Sequence, residues 1–109
     1  MSESKALAAA RAEAIRLLRD EEDWVVLATP RLSLYRMGLT ELAAVDLVVD
    51  RLLAGFPLSE VQLGDPPGSG GIGYALTNAD GKGLYIKFKI EDDRVKFLSF
   101  KPSDHLRPG

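Results

Sequence analysis

Five side chains near the C-terminal end of this chain interleave positive charge with rings: Tyr85, Lys87, Lys89, Phe97 and Lys101. That mixture suits single-stranded RNA, because ammonium groups neutralise phosphates and aromatic rings stack on bases. Cutting RNA without a metal asks for little more. One group must take the 2′-hydroxyl proton, a cation must stabilise the charged transition state, and an acid must protonate the leaving oxygen. Lysine and tyrosine fill such roles where their surroundings shift their pKa values. The competing explanation is a solvated strand face, lysine-rich because charge discourages edge-to-edge pairing.

The chemistry requires these side chains to share a face. Leu84–Ile90 and Val95–Lys101 each alternate like strands, with a charged break at Glu91–Arg94 between them, so the stretch reads as a β-hairpin. A two-residue loop at Asp92-Asp93 would pair Ile86 with Ser99 and Tyr85 with Phe100, mixing lysines and apolar residues on both faces. A three-residue loop at Asp92-Asp93-Arg94 pairs Tyr85 with Lys101, Lys87 with Ser99, and Ile86 with Phe100. A one-residue slip exchanges core for solvent, so the pattern favours the second register. Ile86, Phe88, Ile90, Leu98 and Phe100 then make a dry side, with Lys96 at its edge. Tyr85, Lys87, Lys89, Phe97, Ser99 and Lys101 make a wet one.

The elements before the hairpin have to support that dry side. Residues 4–20 carry an apolar stripe, Leu7, Ala10, Ala14, Leu17 and Leu18, at helical spacing, with Ser2 or Ser4 as a cap. The acidic run Asp20–Asp23 reads as a solvated turn. Trp24–Ala28 is a short β-type run. Thr29 and Pro30 open a short helix as cap and first residue, ending at Gly38. Thr40 caps a further helix, Glu41–Ala54, stopped by Gly55. Leu58–Leu63 fits neither pattern. Gly64–Gly71 is a loop, Ile72–Thr77 a strand, and Asn78–Gly81 a turn into Leu84. With Asp80-Gly81 as the turn centre, Tyr74 and Leu76 join the wet face. The expected fold is α+β in a single domain, residues 1–109: residues 1–57 mainly helical with one short strand, packed on an antiparallel β-meander at 72–103.

Composition removes several classes of function. The 109 residues include no cysteine, which excludes disulfides, cysteine-ligated zinc and thiol catalysis and suits a cytoplasmic protein. With His105 the only histidine, a multi-histidine metal centre cannot form; neither metal nor cofactor is expected. No apolar run approaches the roughly 20 residues that span a bilayer, and the start of the chain lacks a secretory pattern. The net charge of −2 argues against general nucleic-acid affinity. The acids of residues 82–101 cluster in the turn, however, leaving the strands locally basic.

Other motifs carry less. Gly68–Gly73 matches G-x-G-x-x-G, but a proline loop precedes it and a strand follows, the wrong context for a dinucleotide. A kinase-like use fails because only 22 residues follow Lys87, too few for a catalytic loop. Asp92 and Asp93 sit at a wet hairpin tip. Ser103, Asp104 and His105 are consecutive and cannot converge as a triad. His105 alone remains a candidate general base or RNA contact beside the wet face.

Arg36-Met37-Gly38-Leu39-Thr40 before a helix, then Tyr85-Ile86-Lys87, a short turn and Leu98-Ser99-Phe100-Lys101, resemble the MqsR family of bacterial toxins. The resemblance covers about residues 36–55 and 72–103, and the order of elements agrees. It implies a RelE-like fold, ribosome-independent cleavage of mRNA, and a cognate DNA-binding antitoxin as partner. Functional positions of the family fall on Tyr85 and Lys101. The family places a lysine and a glutamine upstream of the hairpin; the matching region here, Gln62–Gly73, has no lysine and no glutamine beyond Gln62. The resulting expectation is an endoribonuclease. Tyr85 serves as acid or base, and Lys101 and Lys87 stabilise phosphate charge. Tyr74 or Phe97 stacks a base, and Lys89, Ser99 and His105 contact RNA. The alternatives are a non-catalytic module that binds RNA or a protein, and a small-ligand domain with Gly68–Gly73 as its lid.

Overall fold

The computed structural model describes residues 3–102. Within them, three α-helices pack on one five-stranded sheet. The first helix, α1 (Lys5–Leu18), starts where the Ser4 side chain accepts the Leu7 amide, and it buries Ala10, Ala14, Leu17 and Leu18. A single 3₁₀ turn, Glu21–Asp23, carries the acidic run and leads into β1 (Trp24–Val26). Next come α2 (Ala28–Arg36) and α3 (Glu41–Leu53). Thr40 caps α3 by accepting the Ala43 amide, and Gly55, at φ +80°, takes up the left-handed conformation past its end. The sheet is completed by β2 (Ser59–Gln62), β3 (Ile72–Leu76), β4 (Tyr85–Glu91) and β5 (Arg94–Lys101).

The strand order is β1-β5-β4-β3-β2. The meander β3–β4–β5 forms as the sequence suggested, but it is the middle of a larger, mixed sheet. β2 adds antiparallel to β3. β1 adds parallel to β5, pairing Trp24 with Val95 and Val26 with Phe97. A three-residue strand can do this because the chain leaves the edge at once. The Leu27 amide donates to the Phe97 carbonyl, and α2 then runs beside the rest of β5, where Ser33 Oγ donates to the Phe100 carbonyl. The open end of β5 is thus covered by a helix, one way of protecting an edge. Thr29 lies inside α2 rather than capping it; the cap is Leu27, which offers no side-chain acceptor.

One face of the sheet holds the core. Ile86, Phe88, Val95, Phe97 and Phe100 are fully buried against Leu17, Val26, Leu34, Val48 and Leu52. The rings of Phe88, Phe97 and Phe100 run in series, with centroids 6.0 and 5.2 Å apart. Arginines tie the helices down. Arg11 donates to the carbonyls of Leu52 and Phe56 at the end of α3 while gripping Glu3, and Arg51 donates to the Ala79 carbonyl. No helix among the described residues is long and apolar enough to cross a membrane.

Candidate nucleic-acid interface

The hairpin that carries the candidate residues combines the two registers the sequence allows. Asp92 and Asp93, at φ +55° and +56°, form a two-residue turn with both residues left-handed, a conformation aspartate tolerates better than most. From this turn the ladder runs Glu91–Arg94, Ile90–Val95, Lys89–Lys96 and Phe88–Phe97. A bulge at Leu98 then inserts one residue, and the remaining pairs are Lys87–Ser99, Ile86–Phe100 and Tyr85–Lys101. The bulge keeps Phe97 and Phe100 both in the core, although they are three apart in a strand.

This geometry corrects part of the sequence reading. Phe97 is not on the wet face. It is completely buried between Phe88 and Phe100 and cannot stack on a base. Lys96 is not at the edge of the dry side but faces outward beside Lys89. Leu98 is the bulged residue rather than a core position. Tyr74 also turns inward: it pairs with Phe88, with ring centroids 5.8 Å apart, and Leu76 beside it is fully buried. The cause is a one-residue difference in the β3–β4 loop, which is not a tight turn centred on Asp80-Gly81. The Ala79 amide donates to the Leu84 carbonyl. Asn78 Oδ1 accepts the Gly83 amide, and Asp80 Oδ1 accepts those of Lys82 and Leu84. Partial burial alone would raise the Asp80 pKa; the amide bonds outweigh it and hold the carboxyl below the usual aspartate range.

Tyr85, Lys87, Ser99 and Lys101 do come together on the outer face. Ser59, Ala75, Lys87 and Ser99 form one row across β2, β3, β4 and β5. Small residues therefore flank Lys87 on both sides. Tyr85 and Lys101 are direct cross-strand partners beside that row. Neither lysine, nor the Tyr85 hydroxyl, has a hydrogen-bond or ion-pair partner among the described residues.

Lys89 shares the face but not that freedom. Its ammonium and that of Lys96 both bind Glu91, at 3.4 and 2.6 Å. The bond from Lys96 is the main reason the Glu91 carboxyl titrates below the usual glutamate range. Arg94 is also engaged, donating twice to the Glu22 carbonyl. His105 and the Ser103-Asp104-His105 run lie outside the described residues.

Sequence reasoning expects a helix at α2 but gives it no part in the site. A cleft of about 250 Å³ between α2 and β5 is lined by Thr29, Ser33 and Arg36 on one side and by Ser99 and Lys101 on the other. Arg36 belongs to the run quoted for the resemblance, yet no periodicity marks it as facing β5. A larger hollow of about 620 Å³ between α2 and the start of α3 is walled by Ala28, Leu32, Tyr35 and Leu39 and is mainly apolar. The glycine run closes the β2–β3 hairpin on itself. The Leu63 carbonyl accepts the amides of Gly68 and Gly70, and Leu63 side-chain atoms fill the space a Cβ at Gly73 would need. Among the described residues, no group of three or more histidine, cysteine or acidic side chains could hold a metal. Compared with known protein families, curated proteins and solved structures, the chain matches none.

Proposed function

We propose that the chain is a cytoplasmic, metal-independent endoribonuclease that cuts single-stranded mRNA, the toxin of a toxin–antitoxin pair with a RelE-like fold. The observation that carries this reading is the group Tyr85, Lys87, Ser99 and Lys101 on one outer sheet face, with both cations unpaired among the described residues. An unpaired ammonium is available to a phosphate at no cost in broken ion pairs. In the reaction, the 2′-oxygen attacks the adjacent phosphorus and the bond to the 5′-oxygen breaks. Tyr85 takes the 2′-proton or supplies one to the departing oxygen, while Lys101 and Lys87 stabilise the negative charge that gathers on the phosphoryl oxygens. With Phe97 in the core and Tyr74 turned inward against Phe88, Tyr85 is the aromatic of β3–β5 that lies on the outer face.

The test is direct. Purified protein should cut an unstructured RNA in EDTA, and the Tyr85→Phe, Lys101→Ala double variant, shown to be folded by circular dichroism, should leave it whole. Intact RNA in the presence of folded wild-type protein rejects the nuclease.

One observation favours a second reading, a binding module on the same fold. The stretch Gln62–Gly73 brings one ionisable side chain, Asp65, no lysine and no glutamine beyond Gln62 to the region where the resembled family has a lysine and a glutamine. Such a module binds RNA, or a protein, without cutting. Growth arrest on expression belongs to the toxin alone. The toxin reading also implies a cognate antitoxin able to cover the basic face.

A further inference from the structure

The cleft between α2 and β5 holds a polar group that the fold itself does not use. Ser99 is only 9% exposed, and its hydroxyl has no hydrogen-bond partner among the described residues. No buried side-chain polar atom among them is left unsatisfied, so this hydroxyl is not sealed from solvent, and Ser99 lines the cleft. Two cations, Arg36 and Lys101, line the same cleft, both exposed and both without a partner among the described residues. Among the described residues, no carboxylate lines it. Thr29 brings the first turn of α2 to its wall, and no side chain caps that helix. Its first amides add partial positive charge to that provided by Arg36 and Lys101.

We propose that this cleft is a phosphate subsite, in which Arg36 and Lys101 grip the oxygens and Ser99 donates a hydrogen bond. Guanidinium is suited to this because its fork matches two phosphate oxygens at once. The identity of the phosphate rests on the reading above: it is a backbone phosphate of the RNA strand, next to the one held at Lys87 and Tyr85. Ser99 links the two places, since it pairs with Lys87 on the sheet and lines the cleft. The strand's path therefore crosses β5 toward α2, and Arg36 binds substrate rather than merely ending a helix.

Two probes test this on the full chain. Inorganic phosphate is titrated while backbone amide shifts are followed by NMR, and a fully 2′-O-methylated oligonucleotide, which cannot be cut, is titrated at several salt concentrations. Phosphate should move Thr29, Ser33 and Ser99 amides. Arg36→Gln should weaken both ligands about tenfold, the size expected for a lost charge-assisted hydrogen bond. It should also make the salt slope for the oligonucleotide shallower by about 0.7, one phosphate contact on a single strand. Ser99→Ala, which changes no charge, should weaken both ligands and leave that slope unaltered.

Shifts that avoid the cleft, or Arg36→Gln binding both ligands as the wild type does, overturn the subsite. RNA cleavage by Arg36→Gln with wild-type KM also overturns it, and leaves the nuclease standing. Phosphate held in the cleft with no oligonucleotide bound there overturns RNA as the source of the phosphate.

Discussion

The two ends of the β4–β5 hairpin present lysines on the same outer face and hold them in opposite electrical states. At the tip, Lys89 and Lys96 close on Glu91 and Arg94 closes on the Glu22 carbonyl, so each cation has a partner within the protein. At the base, Lys87 and Lys101 have no partner among the described residues, and Arg36 joins them across the cleft. The bulge at Leu98 separates the two halves. The comparison teaches that a lysine count misjudges a basic face. A chain with net charge −2 can still offer an anion a concentrated site where its own acids are spent elsewhere.

The largest effect should come from substitutions at the base, set against the same substitutions at the tip. Tyr85→Phe with Lys101→Ala should lower the rate of RNA cleavage by about 10²- to 10⁴-fold, the usual weight of acid–base groups. Lys89→Ala with Lys96→Ala should change it by about threefold or less, because both ammonium groups are already paired with Glu91. Equal losses at both ends, read from single-turnover cleavage of a labelled oligonucleotide, would erase the distinction.

Next in size is a stability difference that tests the bulge. Phe97→Ala should cost about 3–5 kcal/mol in urea unfolding, as for any large ring removed from a packed core. A Phe97 on the outer face, as alternation alone would have it, would cost about 0.5 kcal/mol or less. The same measurement on Tyr74→Ala should fall between these, since Tyr74 is half-buried against Phe88.

Much of this was legible from the residues, and the failures share a cause. Ser4, Thr40 and Gly55 signal helix ends through local chemistry, and all three do so in the structure. The pairing of Tyr85 with Lys101 and Lys87 with Ser99 follows from alternation and is present. Alternation says nothing about a bulge at Leu98, because an apolar residue there fits either side of the strand. It also fails at Asp92-Asp93, where two aspartates adopt left-handed backbone usually signalled by glycine or asparagine. Tyr74 was misplaced because side-chain bonds from Asn78 and Asp80 set the length of its loop. β1 has three residues, too few for any period, and its partner lies about seventy positions away in the chain. The α2–β5 cleft depends on that same distant pairing, so Arg36 could be named as part of a motif but not placed beside Lys101.

The smallest predicted effect sharpens the comparison by abolishing it. Glu91→Gln removes the acid that holds Lys89 and Lys96, leaving the tip in the electrical state of the base. RNA affinity should rise about two- to threefold, and the salt slope should steepen by about 0.7 for each lysine that reaches a phosphate. The pH dependence provides an independent check. Folding lowers the Glu91 pKa, chiefly through Lys96, so the charged carboxylate favours the folded state. That contribution is complete above the pKa glutamate has in the unfolded chain and is lost as the pH falls through the lower, folded value. Wild type should therefore melt slightly above Glu91→Gln near neutral pH, by no more than about 3 °C for so exposed a group, and the two curves should merge in acid. A gap that persists in acid would mean Glu91 acts through packing rather than charge, and the tip lysines would then be no less free than those at the base.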